Sequence, residues 1–410
     1  MEAMLQTNLK MAVLEGMRSD SRVAELISTL GERASDCHLI GGAVRDLAIG
    51  RVPVELDVVV VGDAVSLATA LDSKHLETHE RFLTATCQFE WGTVDFASAR
   101  VEVYSKPGEL PDVVPATLDE DLRRRDFTVN GLTVPLTATE VGEWPAVEGG
   151  WADLDAGLIR VIHEQSFVED PTRIWRAARY CGRLGMRLDS NTARLAHEAV
   201  TGGALETVSG SRLGAELLRT TASDESLGAL ETAQELGLLT RIGGDALDFS
   251  TLAAAAAILG TDVAPQVLRL GALWWKEPRA VEYSRDMNLE SQVTALAAQA
   301  AMGEVLEGAL AAASRPSEIR IACAGWLPES IALAGATSGF DKARLWIHEL
   351  SGISLPIDGL ALAGIGIVEG PMVGVALESA LDHLLDNEGA SEQELLDVAA
   401  TTARELGWER

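Results

Sequence analysis

Three acidic residues and a pair of glycines carry the chemistry this sequence offers. Glu55 and Asp57 stand two apart in the run 54–61, and Asp95 follows between Val94 and Phe96. The run 54–61 reads as a strand, in which alternate residues share a face, so Glu55 and Asp57 project together. Two carboxylates among valines need a partner, because an unpaired buried charge is costly. Magnesium is such a partner: it takes one or two carboxylates and fills its other positions with waters and substrate phosphates. Asp95 either completes that site from a neighbouring strand or acts as base toward an attacking hydroxyl; read alone, it is equally an ordinary edge-strand aspartate. Upstream, Leu39-Ile40-Gly41-Gly42-Ala43-Val44-Arg45-Asp46 reads as a strand, a tight turn and a helix over 43–49 closed by Gly50. Such a turn faces backbone N–H groups and a helix dipole toward an anion such as a triphosphate. Without the acids nearby, it is only a tight turn.

The elements that must position these residues alternate early in the chain. Residues 1–30 carry apolar side chains near helical spacing. Strands are expected at 39–40, 54–61, 84–90 and 93–97, with a helix over 65–71 and a hairpin turn at Glu90-Trp91-Gly92-Thr93. Three prolines and a glycine make 104–115 a loop. Next comes Asp121-Leu122-Arg123-Arg124-Arg125-Asp126-Phe127-Thr128-Val129-Asn130, a set able to hold a ribose and triphosphate, or else a charged helix start. A short strand is expected at 158–162. From Pro171, placed where proline opens a helix, the chain reads as helical almost throughout, with 355–375 its most irregular stretch.

Bulk properties exclude several classes. A chain of 410 residues with 47% hydrophobic content is globular and large enough for two to four domains. No apolar run is long enough for a membrane span, and the first 19 residues lack a signal-peptide core. Four dispersed cysteines fit free thiols in a cytoplasmic protein. The net charge of −29 argues against a nucleic-acid partner, yet it is unevenly spread. Residues 201–410 carry 13 Lys+Arg against 30 Asp+Glu, whereas 151–200 carry 7 against 7. Arg173, Arg176, Arg179, Arg183 and Arg187 follow one another with no acid between, within an arc of roughly 120° if all lie on one helix. A solvated helix face normally mixes its charges; a stripe of arginines in an acidic chain is where phosphate would go.

GGAVRD, E-x-D before VVVVGD, VDFASARVEVYSKPG, DLRRRDFTVNGL, EDPTRIWRAARYCGRLG and SRLGAELLR occur in this order. Together they resemble the bacterial class II tRNA nucleotidyltransferases, the CCA-adding and A-adding enzymes of the polymerase β superfamily, which are relatives of bacterial poly(A) polymerase. The resemblance covers about residues 35–220 and continues weakly to PIDGLALAGIGIVEGPMVG, which is similar to the family's tRNA-binding tail. It implies an α+β chain. A polymerase-β-like nucleotidyltransferase head, a small mixed sheet with helices, would occupy 1–150. All-α neck (151–220), body (221–340) and tail (341–410) would follow. It implies Mg2+ as cofactor, ATP and CTP as substrates, and the tRNA 3′ end, held at acceptor stem and elbow, as partner, with no membrane. Gly41, Gly42 and Arg45 would lie at the triphosphate, Glu55 and Asp57 would hold the metal, and Asp95 would be the further catalytic carboxylate. Arg125, Asp126 and Asn130 would contact the nucleotide and its ribose. Asp170 and Arg173 would read the base edge, supported by Arg176 and Arg179, while Arg212 and Glu216 would steady the neck. The chain departs from the family at Glu55, usually Asp; at Leu83, usually Gly; and at Gly131, usually Ala. A binding protein that has lost catalysis through Glu55, or a poly(A) polymerase, are the alternative readings.

Overall fold

The computed structural model describes residues 2–406 except 105, 107, 109, 110, 224, 245, 246, 263, 368 and 369. Two compact units divide the chain, Met1–Leu238 and Leu239–Arg410. The first is α+β. Its N-terminal helices are α1 (Glu2–Ser19) and α2 (Ser21–Leu30), where one helix was expected. The break falls at Asp20, which leaves the helical region and caps α2 by accepting a hydrogen bond from the Arg22 backbone N–H. Strand β1 (Cys37–Ile40), helix α3 (Gly42–Ala48), β2 (Leu56–Val60), α4 (Ala64–Thr69), β3 (His75–His79), β4 (Thr84–Gln88) and β5 (Thr93–Ser98) follow. Then come β6 (Arg100–Val103), β7 (Asp112–Pro115), α5 (Leu118–Arg123) and β8 (Thr133–Pro135).

Six strands form one mixed sheet in the order β3-β4-β5-β2-β1-β8. Leu56, Val58, Val59 and Val60 of β2 are all buried, as a strand covered on both faces requires. β2 and β5 run parallel, with Asp57 opposite Asp95. Asp95 therefore stands on an interior strand, which removes the edge-strand reading. The stretch 104–115 is not wholly loop: β7 pairs antiparallel with β6, Val101 opposite Val114. Residues 105, 107, 109 and 110 of that stretch lie outside the described residues. Glu55 sits just before β2 rather than within it.

Helices α6 (Gly150–Asp155) and α7 (Ser166–Glu169), with β9 (Leu158–Ile159) between them, lead to α8 (Thr172–Leu184). Gly185, at φ +66°, ends α8, and Arg187 lies on β10 (Arg187–Leu188), parallel to β9. The arginine stripe thus loses its last member, because the left-handed turn at Gly185 stops the helix. Helices α9 (Ser190–Thr201), α10 (Gly210–Thr221) and α11 (Ser226–Glu235) complete the unit. Gly182 of α8 lies where a Cβ would meet the Ala229 backbone at 2.3 Å, so α8 and α11 pack at backbone contact.

Leu83 is one of three non-glycine residues with positive φ among the described residues, at φ 53° and ψ 40°. That conformation explains why the resembling family prefers glycine there, since leucine in the left-handed region costs roughly 1–2 kcal/mol.

The second unit is helical among its described residues. Its C-terminal part packs the helices Pro371–Asp386 and Glu392–Glu405 around Leu362, Ala376, Ala380, Leu395 and Ala399. Residues 368 and 369 of the expected tRNA-binding stretch lie outside the described residues. No described helix is long and apolar enough to cross a membrane.

Candidate active site: three carboxylates on an arginine-lined cavity

The parallel register of β2 and β5 brings Asp57 and Asp95 side by side, and the turn before β2 adds Glu55. One carboxylate oxygen from each of the three lies within 4.8 Å of the others. Asp95 is fixed by the hydroxyl of Thr86, its register partner on β4, which donates to it. Burial pushes the Asp57 carboxyl up to about 6; Arg125 and Arg45 pull it down, while Asp95 and Glu55 push it further up. Hard oxygen donors that repel one another suit a hard divalent cation, whose charge relieves both burial and repulsion. The residues fit such a group.

Asp57 and Glu55 form part of the wall of a cavity of about 1050 Å³. Every residue singled out above as catalytic or nucleotide-binding lines this cavity, except Asp95, which stands on β5 beside Asp57. At the glycine turn, Gly41 has φ +65°, and a Cβ there would stand 3.0 Å from Nη1 of Arg125. The N–H of Gly41 is committed to the carbonyl of Leu132 at 3.0 Å. With that group taken and α3 only seven residues long, positive charge at this wall comes from arginine side chains more than from the turn.

Those arginines are held by acids from several elements. Arg45 donates from Nε and Nη2 to Asp46 at 2.9 and 2.7 Å and from Nη1 to Asn130 at 2.5 Å, and its guanidinium stacks 5.0 Å from the Tyr180 ring centre. Asn130 donates in turn to Asp126 at 2.9 Å. Arg125 bonds the buried Asp121 at 3.1 Å. On α8, Arg176 pairs with Asp126 at 2.6 Å, Arg179 with Glu216 at 3.3 Å and Arg183 with Asp46 at 2.8 Å. The stripe without acids is therefore compensated across elements, which local spacing could not reveal. Burial is the strongest single influence on Asp126 and opposes its charge, but Arg176, the Asn130 amide, Arg173 and the Phe127 N–H together outweigh it and hold the carboxyl below its usual range.

At the start of α8, Asp170 accepts from the Thr172 N–H at 3.1 Å, the Thr172 hydroxyl at 2.7 Å and Nη2 of Arg212 at 2.8 Å, all on Oδ1. Arg173 donates to Ser166 Oγ at 2.9 Å and to the Arg124 carbonyl at 3.0 Å. Glu216, beside Arg179, also accepts from Arg219 at 2.7 Å.

Sequence reasoning missed Glu102 and Tyr104. Glu102 accepts from Arg124 at 2.5 Å and from the Tyr104 hydroxyl at 2.7 Å, and lies 3.9 Å from Arg173. The signal was the period-two spacing of Arg100, Glu102 and Tyr104, which puts polar groups on one face of β6 and its extension.

Residues 37–160 match the poly A polymerase head domain. An A-adding tRNA nucleotidyltransferase of Geobacter sulfurreducens is 33% identical over 402 residues, covering 89% of this chain and 45% of that protein. The chain thus spans less than half the length of that curated relative. Among solved structures, a CCA-adding enzyme complexed with CTP superposes with a TM-score of 0.77 at 26% identity, over 98% of this chain and 99% of that one. The Thermotoga maritima CCA-adding enzyme complexed with tRNA gives 0.75 at 27% identity, over 93% and 96%. The α+β head followed by a helical remainder is the fold of these enzymes.

Proposed function

We propose that this chain adds C, A or both to the 3′ end of tRNA from CTP and ATP, making or repairing the CCA end without a nucleic-acid template. The observation that carries the reading is the cluster of Glu55, Asp57 and Asp95, the first two of which line a cavity that also presents Arg125, Asp170 and Arg173. Similarity to A-adding and CCA-adding enzymes supports it. In this reading 1–150 is the transfer head, 151–220 reads the base, 221–340 is the body, 341–410 meets the tRNA, and the work takes place in the cytoplasm.

Glu55 and Asp57 would hold Mg2+, which supplies charge neutralisation at the phosphates and favours ionisation of the attacking hydroxyl. Asp95, oriented by Thr86, takes the proton of the tRNA 3′-hydroxyl. The O3′–Pα bond forms as the bond from Pα to pyrophosphate breaks, and Arg125 balances the charge that builds on the α-phosphate. Arg45 and Arg176 act less by direct grip than by holding Asn130 and Asp126 against the ribose position. Because Thr172 and Arg212 both engage Oδ1 of Asp170, Oδ2 is the oxygen offered to an exocyclic amine, a donor that adenine and cytosine share.

Purified protein, MgCl2 and tRNA transcripts ending before CCA, after C and after CC, each with CTP, ATP or both, test the reading by product length. Addition of CCA alone to the shortest transcript identifies a full CCA-adding enzyme, growth only from CC an A-adding one, and arrest at CC a CC-adding one. A long A ladder on any RNA would transfer the reading to poly(A) polymerase. Binding of tRNA without extension would make the chain an RNA-binding protein.

A further inference from the structure

The 36 residues before the matched head domain begin with helices that brace it. Lys10 donates to the Gly142 carbonyl at 2.9 Å and Arg18 to that of Thr139 at 2.7 Å. One contact from this region reaches the approach to the carboxylates. Arg22, on the first turn of α2, has its guanidinium fixed by Asp20, with Nε to Oδ1 at 3.0 Å and Nη2 to Oδ2 at 2.6 Å. From that fork, Nη2 also donates to the Pro53 carbonyl at 2.7 Å and Nη1 to the Val54 carbonyl at 3.3 Å. These are the two residues immediately before Glu55. The methylenes of the same side chain lie against Gly92, where a Cβ would stand 3.4 Å from Arg22 Cδ. Gly92 closes the β4–β5 turn, whose Phe89 N–H bonds the Gly92 carbonyl at 2.8 Å, and it precedes the strand that carries Asp95. One side chain therefore touches both segments that lead into the parallel pair β2 and β5, at the ends nearest the carboxylates.

Apart from the buried Pro53, the loop it holds has little apolar packing to fix it. Val52 and Val54 are 76% and 73% exposed, so no apolar packing anchors their side chains. Glu55 itself is exposed and lies outside the strand ladder. A glutamate reaches one methylene further than an aspartate, so the position of its backbone decides whether its carboxylate meets the other two. Magnesium accepts only a narrow range of ligand distances, near 2.0–2.1 Å.

We propose that Arg22, pre-set by Asp20, is a positioning residue that holds the 53–54 backbone so that Glu55 completes the carboxylate cluster. This rests on the metal-site reading of Glu55, Asp57 and Asp95. Groups one step removed from a metal ligand commonly change metal affinity by about 10–100-fold when lost.

The test is Mn2+ binding by the full chain without nucleotide, followed by the electron paramagnetic resonance of free Mn2+. The chains compared are wild type, Asp57→Ala, Glu55→Ala, Arg22→Ala, Arg22→Lys and the double variant Arg22→Ala/Glu55→Ala. The expected result is about a tenfold loss for Arg22→Ala, a smaller loss for Arg22→Lys, and no further loss in the double variant beyond Glu55→Ala alone. Asp20→Ser keeps a good cap for α2 but releases the fork, and it should weaken Mn2+ in the same direction, which guards against mere unfolding of the arginine variants. Wild-type affinity in both Arg22→Ala and Asp20→Ser, or additive losses in the double variant, would overturn the proposal. Equal Mn2+ binding by wild type and Asp57→Ala would instead overturn the metal site on which it rests.

Discussion

Replacing Asp57 by asparagine should stabilise the protein while disabling the site. Asp57 is a carboxylate of ordinary pKa 3.8 raised to about 6, chiefly by burial and further by Asp95 and Glu55. At about 1.36 kcal/mol for each tenfold change in proton affinity, keeping Asp57 ionised costs the fold about 3 kcal/mol. Residual water contact lowers this to about 2 kcal/mol. The sign follows from proton binding. Between about pH 4 and 6 the folded chain holds a proton that the unfolded chain has released, so stability contributed here is fully present below about pH 4 and lost as pH rises through about 6. Asparagine has no such loss. Thermal unfolding in EDTA at about pH 7.5 should place Asp57→Asn about 4–8 °C above wild type, given roughly 2–4 °C per kcal/mol for a folding unit of this size. Below about pH 4 the two should nearly coincide. Saturating MgCl2 should raise the wild type more than the variant, because the variant has lost one of the three carboxylates whose charge a cation relieves. A variant at or below wild type in EDTA at the higher pH, or a gap independent of pH, would refute the view that Asp57 is held at an energetic cost.

Three further outcomes follow from packing and pairing. Gly131→Ala, which restores the residue usual in the resembling family, would put a Cβ 2.2 Å from Val147 Cγ2 and 2.9 Å from Val147 Cβ; a loss of about 1–3 kcal/mol in urea denaturation is expected, with only part of it recovered by adding Val147→Ala, which removes Cγ2 but keeps the Cβ in place. Arg176→Ala leaves the buried Asp126 without its 2.6 Å partner and should cost about 3–5 kcal/mol by the same assay. Arg212→Ala frees Asp170 from its 2.8 Å bond, so single-turnover assays with ATP and CTP should show weaker discrimination between nucleotides, about tenfold or less, with stability changed by about 1 kcal/mol.

How far the sequence could be read depended on the range of each interaction. The strand at 56–60, the turn at Gly41 and the hairpin at 89–92 were legible because their signals are local: a run of valines, paired glycines, a turn between alternating segments. The residues proposed for catalysis and nucleotide binding came from ordered motifs, and all of them but Asp95 line one cavity. What was not legible depended on register or on distant partners. That Asp95 faces Asp57 follows from a parallel pairing 38 residues apart in sequence, and nothing in VDFAS announces its neighbour. The arginines of α8 read as a bare stripe because Asp46, Asp126 and Glu216 come from three other places in the chain. The break at Asp20 was hidden because its capping role depends on where the chain turns, and the same side chain reads as an ordinary helix-surface acid until that turn is known.

The pairs Arg183–Asp46 and Arg176–Asp126 bear on modularity. They tie α8 to the segment bearing the glycine turn and to the loop after α5 through two buried carboxylates, so the parts on either side of residue 150 are not interchangeable cassettes. A chimaera that grafts another neck onto this head would keep its geometry only where the incoming helix brings arginines to both acids. A graft lacking them would leave the buried Asp126 without its arginine and Asp46 with Arg45 alone. Recombination between relatives is thus steered toward crossovers that carry both members of each pair, and the junction that looks most natural in the chain, near Gly149-Gly150, is a poor place to cut.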